Sequence, residues 1–306
     1  MSSLIKINHY LIFGIIVSFA TFSCKETPPY INMVPSHVST DSTSVFLPAP
    51  TPEEKHVLIE EFSGVKCKNC PAAQQEAAKI SSNNLNKINI ITIHPLGINN
   101  SLTTPFAIKD GDAFNSTYDF RTAVGANIYN LVGPGVNGGL PMGTVNRKFY
   151  SGEPFRNINY QNWAAHVNSE LTIPTPVNIK LSAKNIGDSV SIEVTLLYTD
   201  YPTDTNHFLT LSLIESGMID YQESTDINGV TIFVKEYVHK HVLRAIVTAD
   251  YGDILKAKLE PGRVFFKKYS YKRDPSWVKT NLDIVAMVHL NTTKQDVIHS
   301  KEVHVE

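Results

Sequence analysis

One pattern constrains this chain more than any other: an apolar run, a break, two cysteines three apart, a proline and an alanine-rich stretch. Val57-Leu58-Ile59-Glu60-Glu61-Phe62 reads as a buried strand, and Ser63-Gly64 ends it. Cys67-Lys68-Asn69-Cys70-Pro71 follows, then Ala72 to Ile80 with helical composition. Proline suits the first turn of a helix, where its missing N–H costs nothing. The cysteines therefore stand where a strand hands over to a helix N-terminus. Unpaired N–H groups and the positive end of the helix dipole stabilise a thiolate there, and Lys66 and Lys68 flank Cys67. In this arrangement Cys67 is the exposed nucleophile and Cys70 the buried resolving thiol of a thiol–disulfide exchange. Half of a zinc site looks the same, but zinc takes about four ligands. The chain offers neither another free cysteine nor a nearby histidine pair at zinc-finger spacing. No metal or other cofactor is expected, and the pair is read either as a redox site or as a structural disulfide.

The third cysteine, Cys24, has a different setting. Lys6 precedes an apolar run from Tyr10 to Phe22, which ends among the small residues Ser18, Ala20 and Ser23. A basic start, a short apolar core and a small-residue exit make a secretory signal, and the run is short for a membrane span of ~20 residues. Ala20-Thr21-Phe22-Ser23-Cys24 resembles a loose lipobox, which implies a signal peptide over 1–24 and a lipid-modified Cys24. A plain signal peptide or an anchor helix is the alternative. Residues 25–54 are rich in proline, serine and threonine without apolar periodicity, and are expected to be a disordered tether.

Strand, loop, CxxC and helix together resemble the thioredoxin superfamily. That resemblance implies a role for Glu61, six residues before Cys67, as a buried carboxylate relaying protons to the resolving cysteine; a solvated strand residue is the alternative. A second strand, 88–93, leads to His94-Pro95. Gly139-Leu140-Pro141-Met142-Gly143-Thr144-Val145 looks like the cis-proline loop of that fold. In the fold, the proline (here Pro141) faces the cysteines, and the backbone before it binds an extended peptide; an ordinary turn is the alternative. An insertion at about 96–138 is expected to hold a helix at 112–124. A last helix near 159–171 carries Trp163, Val167 and Leu171 as an apolar stripe.

After Ile173-Pro174-Thr175-Pro176 the period changes from helical to two. Runs at 177–181, 190–194 and 209–213 alternate, and further strands are expected near 230–236, 241–248, 264–271, 283–290 and 297–305. The expected organisation is α/β plus all-β: a thioredoxin-like domain at 55–173 followed by an immunoglobulin-like β-sandwich at 174–306. His239 and His241 are read as surface or loop residues rather than metal ligands, and Asp250 to Asp253 as a turn. The 27 basic and 29 acidic residues leave a net charge of −2, which gives no footprint for nucleic acid.

Three groups of residues are similar to the outer membrane protein 28 family: Leu58 to Gly64 with Cys67 to Pro71, Leu140 to Arg147, and Tyr237 to Arg244 with Trp277 to Val288. That resemblance implies a lipoprotein of the cell envelope, held at the outer membrane by its lipid and exposed at the cell surface or the periplasm. It supplies no established catalysis. Two functions lead: a surface binding or assembly protein built on a thioredoxin-like scaffold, or a thiol–disulfide oxidoreductase acting on exported proteins through Cys67 and Cys70. Metal capture by the cysteine pair is a third reading, set against the missing further ligands.

Overall fold

In the computed structural model the described residues are 38–85, 87–134, 139–291, 293 and 295–306. Cys24, the leader and residues 25–37 lie outside them. The apolar run after Lys55 forms strand β2 (Val57–Phe62), buried along its whole length. The cysteine pair opens helix α1 (Cys70–Asn83), which leads to β3 (Ile88–Pro95). β3 lies parallel to β2, with Glu61 opposite Thr92. Because side chains alternate along a strand, the two faces of β2 and β3 feed different cores. Val57, Ile59, Ile88 and Ile90 pack under α1 with Ala73, Ala77 and Ile80. Leu58, Phe62, Ile91 and Ile93 face the other way.

The insertion holds a short helix α2 (Asn100–Thr103), β4 (Arg121–Thr122) and α3 (Ala123–Val132). The helix expected at 112–124 is absent and α3 begins where it was to end. The reason is tertiary. Phe114 and Tyr118 pack with the buried Phe120 and Phe106, and the backbone N–H groups of Thr117 and Tyr118 donate to Asp220, each at 2.8 Å. Side-chain partners replace the helical ladder there. At α3, Thr122 caps the N-terminus by accepting from Gly125 N.

β5 (Met142–Val145) runs antiparallel to β2 on the side away from β3, and α4 (Trp163–Leu171) packs Trp163 and Val167 onto it. Gly143 makes this contact possible: a Cβ there would lie 2.4 Å from the Trp163 ring and 2.5 Å from the Glu60 carbonyl oxygen.

The rest is β-rich: β6 (Val177–Ile186), β7 (Ser189–Tyr198), β8 (Phe208–Glu215), β9 (Met218–Thr225), β10 (Thr231–His239), β11 (Val242–Ile246), β12 (Asp253–Ile254), β13 (Arg263–Lys272), β14 (Leu282–His289) and β15 (Val297–His304). The fold is thus mostly β-sheet with few helices. Among the described residues, one sheet follows the order β15-β14-β8-β11-β3-β2-β5, with β12 on β8 and β4 on β3. A four-stranded sheet follows β1-β13-β7-β6, where β1 is Val38–Val45, and β9 and β10 form a separate ribbon.

Three expectations change here. The large sheet crosses the predicted boundary at 173–174, and the described residues all fall in one compact unit. Ile214, Leu243, Val285 and Met287 complete the core begun by Leu58, Phe62 and Ile93. The strands after 174 do pack in two layers around a core of their own, the four-stranded sheet meeting β8 and β14 through residues such as Ile192, Leu196, Leu211 and Ile284. They are not a separate domain, because β8, β11, β14 and β15 continue into β3 and β2. Finally, part of the expected tether is a strand: β1 (Val38–Val45) pairs antiparallel with β13, and Asp41 accepts from Lys267 at 2.5 Å.

Candidate functional site at the cysteine pair

The residues after β2 turn sharply at Gly64, where a Cβ would sit 2.4 Å from the Leu102 carbonyl oxygen. This close packing fixes the loop that carries Cys67. Cys70 N donates to Cys67 O at 3.0 Å, Pro71 occupies the first turn of α1, and Cys67 and Cys70 form a disulfide with a Cα–Cα distance of 5.4 Å.

The sequence reading made Cys67 the exposed sulfur, but Cys67 is 2% exposed and Cys70 0%. The β9–β10 ribbon lies over the loop and is stitched to it. Gln222 Nε2 donates to the carbonyls of Gly64 at 3.1 Å and Cys67 at 3.2 Å. Glu223 N donates to Val65 O at 2.8 Å, and Thr225 Oγ1 to Lys68 O at 3.3 Å. The expected electrostatic help is also partly redirected, since the Lys66 ammonium pairs with Asp112 at 2.7 Å. Lys68 stays exposed.

Glu61 is fully buried, so the solvated alternative does not hold. Its Oε2 receives a long 3.5 Å contact from the Thr92 hydroxyl, and its Oε1 has no partner among the described residues. Burial raises its pKa to about 8, against a smaller lowering by Thr92. The Leu140–Pro141 peptide is cis, and Pro141 is buried. Met142 pairs with Phe62, so β-sheet register brings Pro141 to the end of β2 that leads into the cysteine loop.

Neighbouring residues add features the sequence reading missed. Glu60, beside Glu61 but on the opposite face, takes a two-pronged contact from Arg147, with Nε at 2.7 Å from Oε2. Arg147 also donates to Gln295 at 2.9 Å. His239 is 0% exposed rather than at the surface; its ring lies 6.4 Å from that of buried His94, and both pack on Phe120. His241 is largely covered too and has a positive φ of 55° between β10 and β11, so it does not share a strand face with His239. Residues 250 and 251 do form a turn. The ribbon itself was legible: Asn228-Gly229 between two alternating runs is a strong short-range hairpin signal. No group of three or more histidine, cysteine or acidic residues stands ready for a metal among the described residues. No helix among them is long and apolar enough to cross a membrane.

The model of the outer membrane protein Omp28 family matches residues 135–306, more than half of the chain. The chain belongs to the Omp28 family. Membership places this Omp28 protein in the cell envelope, at the outer membrane. Its fold is similar to that of HBP35 of Porphyromonas gingivalis, with a TM-score of 0.60 at 18% identity over 84% of this chain and 77% of that one. Weaker likenesses are to protein AGR_C_4864 from Agrobacterium tumefaciens (TM-score 0.46, 10% identity, 84% of this chain and 97% of that one). A domain of the outer membrane lipoprotein Omp28 from Porphyromonas gingivalis gives a TM-score of 0.30 at 21% identity, over 43% of this chain and 89% of that one. No curated protein matches significantly.

Proposed function

We propose that this Omp28 protein is a lipoprotein, exported by the signal peptide 1–24 and anchored through Cys24, that acts as a binding or assembly scaffold at the outer membrane. The scaffold reading includes a thioredoxin-like part. Its supports are the strand–CxxC–helix order, parallel β3, and antiparallel β5 preceded by cis Pro141. The single observation that carries the scaffold role is the burial of both sulfurs beneath the hydrogen-bonded β9–β10 ribbon. An attacking thiolate needs access to sulfur, and here access requires the ribbon to move. Cys67–Cys70 then serves as a clasp that fixes the shape of the loop on which the ribbon docks.

Thiol–disulfide exchange is the second reading, and Glu61 favours it. A thiolate of an exported protein would attack Cys67 Sγ and break the Cys67–Cys70 bond. Glu61, protonated near neutrality, would supply the proton that the leaving Cys70 thiolate needs. A second substrate thiolate would then displace Cys67 and carry off the substrate disulfide. The deciding measurement is the reduction potential of the pair in the full chain. A potential below about −300 mV with slow exchange is expected for the clasp; one above about −230 mV overturns it in favour of exchange. Anchoring has its own test: Cys24→Ala is expected to abolish fatty-acid labelling and release the protein from the membrane fraction.

A further inference from the structure

Glu61 borders a second feature, on the side of the sheet covered by α1. A cavity of about 300 Å³ opens between α1, β3 and the end of the β9–β10 ribbon. Ala77, Ala78, Ile90 and Val238 make its walls apolar. Tyr237 donates its hydroxyl to Gln74 and so ties the ribbon to α1 at this cavity. Glu61 is the fully buried acid of the lining, and among the described residues neither its Oε1 nor Nδ1 of His241, which also lines the cavity, has a hydrogen-bond partner. Buried polar atoms are normally satisfied, and leaving one unpaired costs about 1–3 kcal/mol. An apolar pocket lined by a few unsatisfied polar atoms has the build of a small-molecule site, and its size is at the lower end of such pockets, ~300–1,000 Å³.

We propose that this cavity binds a small, uncharged, apolar molecule with a single hydroxyl group, whose hydroxyl meets Glu61. The charge of the occupant follows from the lining. An ammonium group would be stripped of water with Glu61 as its one carboxylate partner, while Lys240 also borders the cavity. An anionic group would be set against a buried carboxyl. A hydroxyl both donates and accepts, so it satisfies Oε1 whichever way the proton lies. The raised pKa of Glu61 fits a carboxyl that waits uncharged for such a partner. The proposal holds whether the disulfide is a clasp or an exchanging pair.

The test uses the full chain in lipid nanodiscs, with 4-ethylphenol and ethylbenzene as matched probes titrated calorimetrically against empty nanodiscs. Saturable binding of both is expected, with the phenol about fivefold tighter, which is one hydrogen bond of ~1 kcal/mol. Glu61→Met is expected to erase that preference while keeping the apolar binding. Ala78→Trp, at an exposed position on α1 beside the cavity, is expected to abolish binding of both without touching the core. Absence of saturable phenol binding overturns the proposal. So does a preference that survives Glu61→Met, or phenol binding unchanged in Ala78→Trp.

Discussion

Glu60 and Glu61 are neighbours on β2, yet alternation sends them to opposite faces of the sheet and into different chemistry. Glu60 meets Arg147 and a 3.2 Å hydrogen bond from the Thr144 hydroxyl, so its burial is compensated. Removing one partner of such a buried pair leaves a charge stranded, and Arg147→Ala is expected to cost ~3–5 kcal/mol in a denaturant-unfolding measurement. Glu61 has no cation to meet. Its folded pKa, about 8, lies above the ordinary value of 4.5, so the folded state holds a proton that the unfolded state has released. Its contribution to stability therefore falls as pH rises from about 4.5 through about 8. Glu61→Gln, which cannot ionise, is expected to flatten that fall and to raise the unfolding midpoint at pH 8; an unchanged pH profile would refute the assignment. The sequence marks both glutamates as strand residues. It does not show which one finds an arginine 87 positions away.

At the scale of elements, the β9–β10 ribbon decides how the cysteine loop behaves. Gln222 is fully buried and bridges the ribbon to two carbonyls of the loop. Gln222→Ala is expected to speed reduction of Cys67–Cys70 by dithiothreitol, because it unfastens the cover without touching either sulfur. The ribbon also buries His239 beside His94. Burial is the main cause that lowers their pKa values to about 4 and about 3, from 6.5. Both bind fewer protons folded than unfolded below about pH 6.5, so stability is full above that pH and is lost as pH falls toward 3–4. Urea midpoints measured from pH 7 to pH 4 are expected to fall steeply. The double variant His94→Phe, His239→Phe is expected to fall less. Of the ribbon, the sequence reading expected the strand near 230–236 and missed β9, although Asn228-Gly229 marks the turn between them. That the two strands fold back across the CxxC loop was not readable, because the contacts join residues more than 150 positions apart.

For the whole molecule, the shared sheet predicts how the chain tolerates cutting. The core that contains Leu58, Phe62 and Ile93 is finished by Ile214, Leu243, Val285 and Met287. A fragment ending at residue 173 would expose that apolar face and the edge of β3. It is expected to aggregate or to lack a cooperative transition, whereas the intact chain is expected to unfold in one main calorimetric transition. Two independent transitions would restore the boundary that the change of period at Pro174 suggests.

Local pattern, then, determined a good deal: the strands 57–62, 177–181, 190–194 and 209–213, the helix after Cys70, and the apolar stripe of Trp163 and Val167. Each depends on periodicity, capping or turn chemistry within a few residues, and such signals are written in consecutive letters. Tertiary structure alone decided the rest. It paired β1 with β13, turned 112–120 away from helix, merged two expected domains into one sheet, and placed a ribbon over a cysteine expected to be open to solvent. The physical reason is that burial, partner choice and accessibility are set by which distant surfaces meet, and a side chain's state follows from the company it keeps there rather than from its neighbours in the chain.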